Sequence, residues 1–210
     1  MSTGRAEAFS DGVFAIAITL LVLSLRLPGH GSLTSQLLAA WPQYFAYVVS
    51  FLTIGIMWMN HHTILAHVAR VDRPLLVLNL LLLMGIVAIP FPTVLVADNL
   101  THTDGTTAVV TYGLVMIAIS LGFAGLWIYV ATHAPALGAA VPPEALRQSI
   151  PGFTGGLLAY VVATLIARFF SAVAALIIFG LLAVYYLFDH LPSPAAAGPD
   201  AVPGAAESGP

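Results

Sequence analysis

Few side chains in this sequence can do chemistry, and they stand far apart. Arg5, Glu7, Ser10 and Asp11 crowd against the start of an uncharged apolar run. His61-His62 and, one and a half turns later, His67 close a second such run, and Asn79 lies inside a third. Asp98 and Asp104 flank a short polar connection. A carboxylate beside an apolar run can attract a cation, histidines can hold a metal, and an amide near a proline-broken helix can bind a transported solute. Adjacent histidines diverge by about 100° on a helix, and no carboxylates accompany them, so no metal site is predicted. The histidines fit better as partners of the Ser10 and Asp11 cluster, or as residues of the headgroup boundary. There is no HExxH, no recognisable Ser-His-Asp context and no carboxylate pair at a plausible depth, so the chain is not read as an enzyme. The absence of cysteine excludes thiolate chemistry, disulfides and Cys-ligated metals, and no cofactor is called for.

These residues are positioned by elements that belong in a bilayer. Of 210 residues, 60% are hydrophobic and 7% charged, against about 25% charged in soluble domains. The net charge of -3, with Arg and Lys together numbering six, leaves no basic surface for nucleic acid. Charged residues then act as rulers, because each is costly at mid-bilayer. Between Asp11 and Arg26 lie only the 14 residues 12–25, about 21 Å of helix against a hydrocarbon core of about 30 Å. The first helix is therefore expected from about Arg5 to Leu27, which draws Ser10 and Asp11 into the membrane region and requires protein or water around them.

A second span is predicted from Pro42 to about Leu65, with residues 27–41 as an outside loop, and a third from Pro74 to about Val96, kinked by Pro90 and Pro92. A fourth follows at about Thr107 to Thr132. Pro135 to Pro151 reads as a connection, and Gly152 to Phe188 as two spans turning near Arg168. The fold class is thus all-α, a polytopic membrane protein with six transmembrane helices over residues 1–190. Residues 191–210, rich in Ala, Pro and Gly, read as a disordered cytoplasmic tail. Arg5, Arg70, Arg73 and Arg147 fall on one side and Arg26 and Arg168 on the other, which predicts a cell-membrane protein with both termini cytoplasmic.

Within the first helix Ile16, Leu20 and Leu23 recur at four and three residues and form one stripe, extended by Phe9, Val13 and Leu27. Thr19 borders it, where its hydroxyl can face water or bond a backbone carbonyl one turn earlier. Such a stripe can face lipid, another helix or a shared passage. Asp11 lies about 140° from Ile16 around the helix and is expected to face neighbouring helices, where Ser10 and Asp11 share hydrogen bonds with groups on the second and third helices, in a network that includes His61, His62 and Asn79, and Arg5 supplies a charge-assisted partner.

The run Arg5-x-x-x-Phe9-Ser10-Asp11, continuing Gly12-Val13-Phe14-Ala15-Ile16-Ala17-Ile18-Thr19-Leu20-Leu21-Val22-Leu23, closely resembles the first-helix signature of the prokaryotic TMEM175 family of potassium-permeable channels. The resemblance implies a homotetramer in which four first helices surround the conduction path, without a pore-loop selectivity filter. It implies that Ile16 is the narrowest constriction, with Leu20 and Leu23 the next apolar layers, and that Thr19 contributes to selectivity. It further implies that Arg5, Phe9, Ser10 and Asp11 form a packing and hydrogen-bonding knot behind the pore, joined by polar second-helix residues. K+ is the expected permeant ion, and lipid and a second to fourth copy of the chain are the expected partners.

With no carboxylate on the stripe and no TVGYG-like sequence, strong potassium selectivity is not predicted. Asp98 and Asp104, repeated four times, would make an outer vestibule electronegative. Two other readings stay open at this point. Asp11, Asn79 and the broken third helix could form the site of a small ion-coupled transporter, although no inverted repeat is evident. A structural or sensory membrane subunit is the third.

Overall fold

A computed structural model of the chain describes residues 3–27, 29, 31–139, 142–148 and 150–187. Among them there are helices and turns and no sheet: α1 Thr3–Leu20, a 3-10 turn Leu21–Ser24, α2 Leu33–Ala39, α3 Trp41–Ala66, α4 Arg73–Ala88, α5 Pro90–Asn99, α6 Gly105–Leu137, α7 Pro143–Gln148, α8 Ile150–Phe169 and α9 Ala172–Leu187. Four stretches are long and apolar enough to cross a membrane, Thr3–Ser24, Trp41–Ala66, Arg73–Asn99 and Gly105–Leu137. The predicted tail, 191–210, lies outside the described residues.

The first helix is shorter than predicted. It tightens to 3-10 geometry at Leu21 and becomes extended at Leu25, whose amide closes the turn on the Val22 carbonyl. Ser24 hastens the ending, because its hydroxyl takes the Leu21 carbonyl at 2.7 Å, and Leu27 is steered out of the helical region by the proline that follows it. The connection between the first and second spans carries the two-turn helix α2, begun by Ser32, whose hydroxyl caps the Ser35 amide.

The third span breaks where the prolines predict. Pro90 has no amide to give to Ile86, so the Ile89 amide serves that carbonyl at 3.1 Å, and α5 restarts at Pro90. The fourth span instead outruns its predicted end. It continues through Pro135 to Leu137, at the cost of a non-helical His133 (φ -111°, ψ 17°) just before the proline. Gly138, at φ 65°, closes it with a left-handed cap that satisfies the last carbonyls.

The packing order follows from which faces are small or apolar. α1 lies on α3 and α4; behind them α6 packs on α4, α5 and α8, and α9 on α3 and α8. α6 and α8 approach closely at Gly113, where any Cβ would overlap the Thr164 side chain. Further along α6, Gly122 meets a neighbour, Leu82, whereas Gly125 faces open space. At the α3–α4 turn Asp72 caps α4, accepting the Leu75 amide at 3.0 Å and the Tyr129 hydroxyl at 2.6 Å. Partial desolvation pushes this carboxyl up, but the two hydrogen bonds outweigh it and hold the group below the usual carboxylate range.

Candidate functional site

The two sides of helix α1 differ sharply. Ala6, Ser10, Phe14 and Ala17, spaced four, four and three apart, are buried, and Leu21 and Ser24 continue the same face through the 3-10 turn. Small residues on this face let the backbone approach α3 and α4 closely. The opposite face is bare within the protomer: Ile16 is 59% exposed, Leu20 39% and Leu23 63%. Phe9 and Leu27 are exposed with them, Val13 is half-buried at the edge, and Thr19 is exposed between the layers. The Thr19 hydroxyl donates to the Ile16 carbonyl at 2.9 Å, the backward bond its position on the stripe allowed. Its oxygen lone pairs remain available on the open side.

Behind α1 a hydrogen-bonded chain crosses three helices. Ser10 donates to its own helix at the Ala6 carbonyl, 2.9 Å away. Asn79 Nδ2 on α4 donates to Ser10 Oγ at 3.0 Å, and Asn79 Oδ1 lies 2.7 Å from His61 Nε2 on α3. An amide oxygen only accepts, so His61 Nε2 carries the proton. Every bond then runs one way, from His61 through Asn79 and Ser10 to the Ala6 carbonyl. His61, Ser10 and Asn79 are all buried, and the His61 ring packs against Phe14 with centroids 5.4 Å apart. With both ends of its amide engaged, Asn79 is poorly placed to serve as a solute ligand.

A second, more exposed set of contacts lies closer to the edge of the α1–α3 seam. Asp11 Oδ1 accepts from Trp58 Nε1 at 2.8 Å, and Glu7 pairs with His62 at 2.5 Å. Glu7 and Asp11 are one turn apart on α1, as Trp58 and His62 are on α3, so two antiparallel helices meet through matched pairs. Trp58 thus serves as a hydrogen-bond donor across the seam.

Two predicted members of the knot stand elsewhere. Arg5 is exposed and makes no ion pair with Asp11, whose partner is Trp58. The separation explains it, since six residues place the two side chains about 120° apart and about 9 Å along the axis. Phe9, 56% exposed, lies on the bare side of the helix. His67 turns away from α1, with Nδ1 at 2.6 Å from the Thr63 carbonyl and its ring against the edge of Trp127. Asp98 and Asp104 are exposed at the end of α5 and in the turn before α6. Among the described residues no three His, Asp or Glu side chains gather closely enough to hold a metal ion.

One buried cluster escaped the sequence reading. Ser50 Oγ on α3 lies 2.8 Å from Thr93 Oγ1 on α5 and 3.2 Å from the Tyr112 hydroxyl on α6, and Thr93 also donates to the Ile89 carbonyl at 2.8 Å. The available signal was a threonine one turn beyond a helix-breaking proline, where a hydroxyl can satisfy a carbonyl at the break.

Comparison with known proteins gives this arrangement a family. A family model described as endosomal/lysosomal potassium channel TMEM175 matches residues 5–90, which take in nearly all of α1 and the seam and end at Pro90. A potassium channel of Streptomyces collinus is 47% identical over 196 residues, covering 91% of this chain and 95% of that protein. The crystal structure of a lysosomal potassium-selective channel TMEM175 homolog from Chamaesiphon minutus superposes with a TM-score of 0.79 at 39% identity, over 88% of this chain and 96% of that one. An endosomal/lysosomal proton channel TMEM175 of Gallus gallus is 41% identical over 101 residues, 43% of this chain but 20% of that longer protein. The near full-length match to the Streptomyces protein, together with the α1 signature and the seam behind it, establishes that the chain belongs to the TMEM175 family.

Proposed function

We propose that this protein is a potassium-permeable, weakly to moderately selective cation channel of the cell membrane, conducting along the axis of a homotetramer lined by four copies of α1. The observation that carries the reading is the bare apolar face of Ile16, Leu20 and Leu23, set opposite a face that is fully committed to its own protomer. In a helix held this firmly from behind, the exposed side must meet lipid or its own copies. The names of the relatives, a potassium channel over nearly the whole length and a potassium-selective homolog of the same fold, support the second.

Ile16 forms the narrowest ring, with Leu20 and Leu23 as further apolar layers. A narrow apolar ring closes by dewetting and opens when it widens enough to hold water around an ion. Thr19 presents a hydroxyl oxygen between the layers and contributes to discrimination. Asp98 and Asp104 enrich cations in the outer vestibule. α8 and α9 complete six spans, which puts Arg5, Arg70, Arg73 and Arg147 together on the cytoplasmic side with both termini. At 16 residues, α9 is about 24 Å long and crosses with some local bilayer thinning. Residues 1–190 form the channel domain and 191–210 a cytoplasmic tail.

Purified protein in liposomes should pass K+ in a saturable way that needs no counter-ion. Ile16→Asn should raise conductance about tenfold and weaken K+ over Na+ discrimination, because an amide holds water where isoleucine expels it, and each ~1.4 kcal/mol of barrier is tenfold in rate. Unchanged conductance in an intact tetramer would remove Ile16 from the conduction path.

A further inference from the structure

The helix that bears Ile16 and Leu23 changes type between them, and the third span breaks beside that change. The α-helical part, Thr3–Leu20, rests mainly on α3 and α4, whereas the 3-10 turn Leu21–Ser24 rests on α3 and α5. Ile16 thus sits on a section backed by α4, and Leu23 on a section backed by α5. Between α4 and α5 the helical ladder is interrupted twice, since neither Pro90 nor Pro92 has an amide hydrogen to donate. A proline break of this kind allows the two segments to pivot unless something else holds them.

α5 packs on α3 and α6, and a buried hydroxyl cluster pins it there just beyond the break. Thr93 ties the break from within, at the Ile89 carbonyl, and Ser50 ties Thr93 to α3 while reaching the Tyr112 hydroxyl on α6. Ser50, Thr93 and Tyr112 are nearly inaccessible, so water does not compete for these bonds. None of the three touches the bare face of α1.

We propose that Ser50 and Thr93 are positioning residues for the outer part of the conduction path: by fixing α5 beyond the proline break they set the Leu23 layer independently of the Ile16 layer. The inference rests on the reading of α1 as the pore-lining helix. Loosening the cluster frees the outer layer and leaves the inner one held by Ser10, Asn79 and His61.

The chain contains no cysteine, so Ile16→Cys and Leu23→Cys each give a single reporter in an otherwise natural protein. The test measures the rate at which a water-soluble methanethiosulfonate modifies each reporter in liposomes, together with the K+ flux. Thr93→Val, which loses the bond to Ser50 on α3 as well as the one to the Ile89 carbonyl, should raise the rate at the Leu23→Cys reporter about fivefold, the population change expected for the loss of the single bond between helices, and change the rate at the Ile16→Cys reporter by less than about twofold. Thr93→Ser, which keeps the hydroxyl, should restore the original rate, and Ser50→Ala should reproduce the loosening and carries the test if Thr93→Val does not assemble. Equal changes at both reporters, no change at either, or failure of Thr93→Ser to restore the rate overturns the proposal. Blocked flux on modification at both positions with no response to Thr93→Val sinks the positioning role alone, whereas modification that leaves flux untouched at both positions sinks the pore assignment with it.

Discussion

Replacing Asn79 by leucine removes two things at once: the acceptor of the His61 Nε2 proton and the donor to Ser10 Oγ. Leaving a buried polar group unpaired costs about 1–3 kcal/mol, but interhelical hydrogen bonds measured in a membrane protein average ~0.6 and reach ~1.7 kcal/mol. Two lost bonds therefore destabilise by about 1–3 kcal/mol. Most of that falls on His61, because Ser10 keeps its bond to the Ala6 carbonyl while the histidine is fully enclosed against Phe14. The one-way order of the chain then predicts strong coupling. Once Asn79→Leu is made, His61→Leu removes the stranded donor, so the double variant should recover about 1 kcal/mol relative to the sum of the singles. The assay is reversible denaturant titration of the detergent-solubilised protein for all four combinations, with oligomer mass followed by light scattering. Additive losses within about 0.5 kcal/mol would refute the directed chain, because independent sites add to within that margin.

Three further outcomes follow from single groups. Thr19→Ala removes the hydroxyl oxygen on the bare face but leaves the Ile16 carbonyl in its helix, so the K+/Na+ reversal potential should move toward zero while the yield of assembled protein stays unchanged; an unaltered reversal potential argues against a role in discrimination. Asp72 is held below the ordinary carboxylate value of about 3.9, so its stabilising effect is present above that value and is lost as pH falls through its lower folded value. Asp72→Asn should therefore lower thermal stability at pH 6 yet flatten the loss as the pH falls below about 4, and an equally steep acid loss would contradict the assignment. Gly113→Ala would drive a methyl group into Thr164, whose hydroxyl is already bonded to the Tyr160 carbonyl, and should cost about 1–3 kcal/mol, seen as a lowered melting temperature; Gly125→Ala, facing open space, is the control that should cost nothing.

The apolar spans could be read from the sequence because the physics that sets them is local. Charges avoid the bilayer centre wherever they stand, so Arg26, Arg70 to Arg73 and Arg168 marked the turns before any packing was known. Pro90 broke the third span for an equally local reason, the missing amide. Even the local rule had limits, for Pro135 bends α6 at His133 without ending it, since the buried packing of Val130, Ala131, Ala134 and Leu137 carries the helix on.

What the tertiary structure alone decided is which groups meet. Helix α1 is apolar on both faces, so periodicity marked Ile16, Leu20 and Leu23 as one stripe but could not say that the stripe of Ala6, Ser10, Phe14 and Ala17 would be the one enclosed. Charge complementarity suggested Arg5 for Asp11, whereas the fold brought Trp58 to Asp11 across 47 residues of chain; Asn79 was expected in the network, but that its amide reaches Ser10, across 69 residues, only the packing decided. Ser50 and Thr93, inconspicuous within apolar runs, became a buried latch only because α3 and α5 lie against each other. Transfer into a bilayer is a property of each segment taken singly and is written in its composition, while a hydrogen bond between helices depends on the angle and depth at which both arrive, which only the packed molecule specifies.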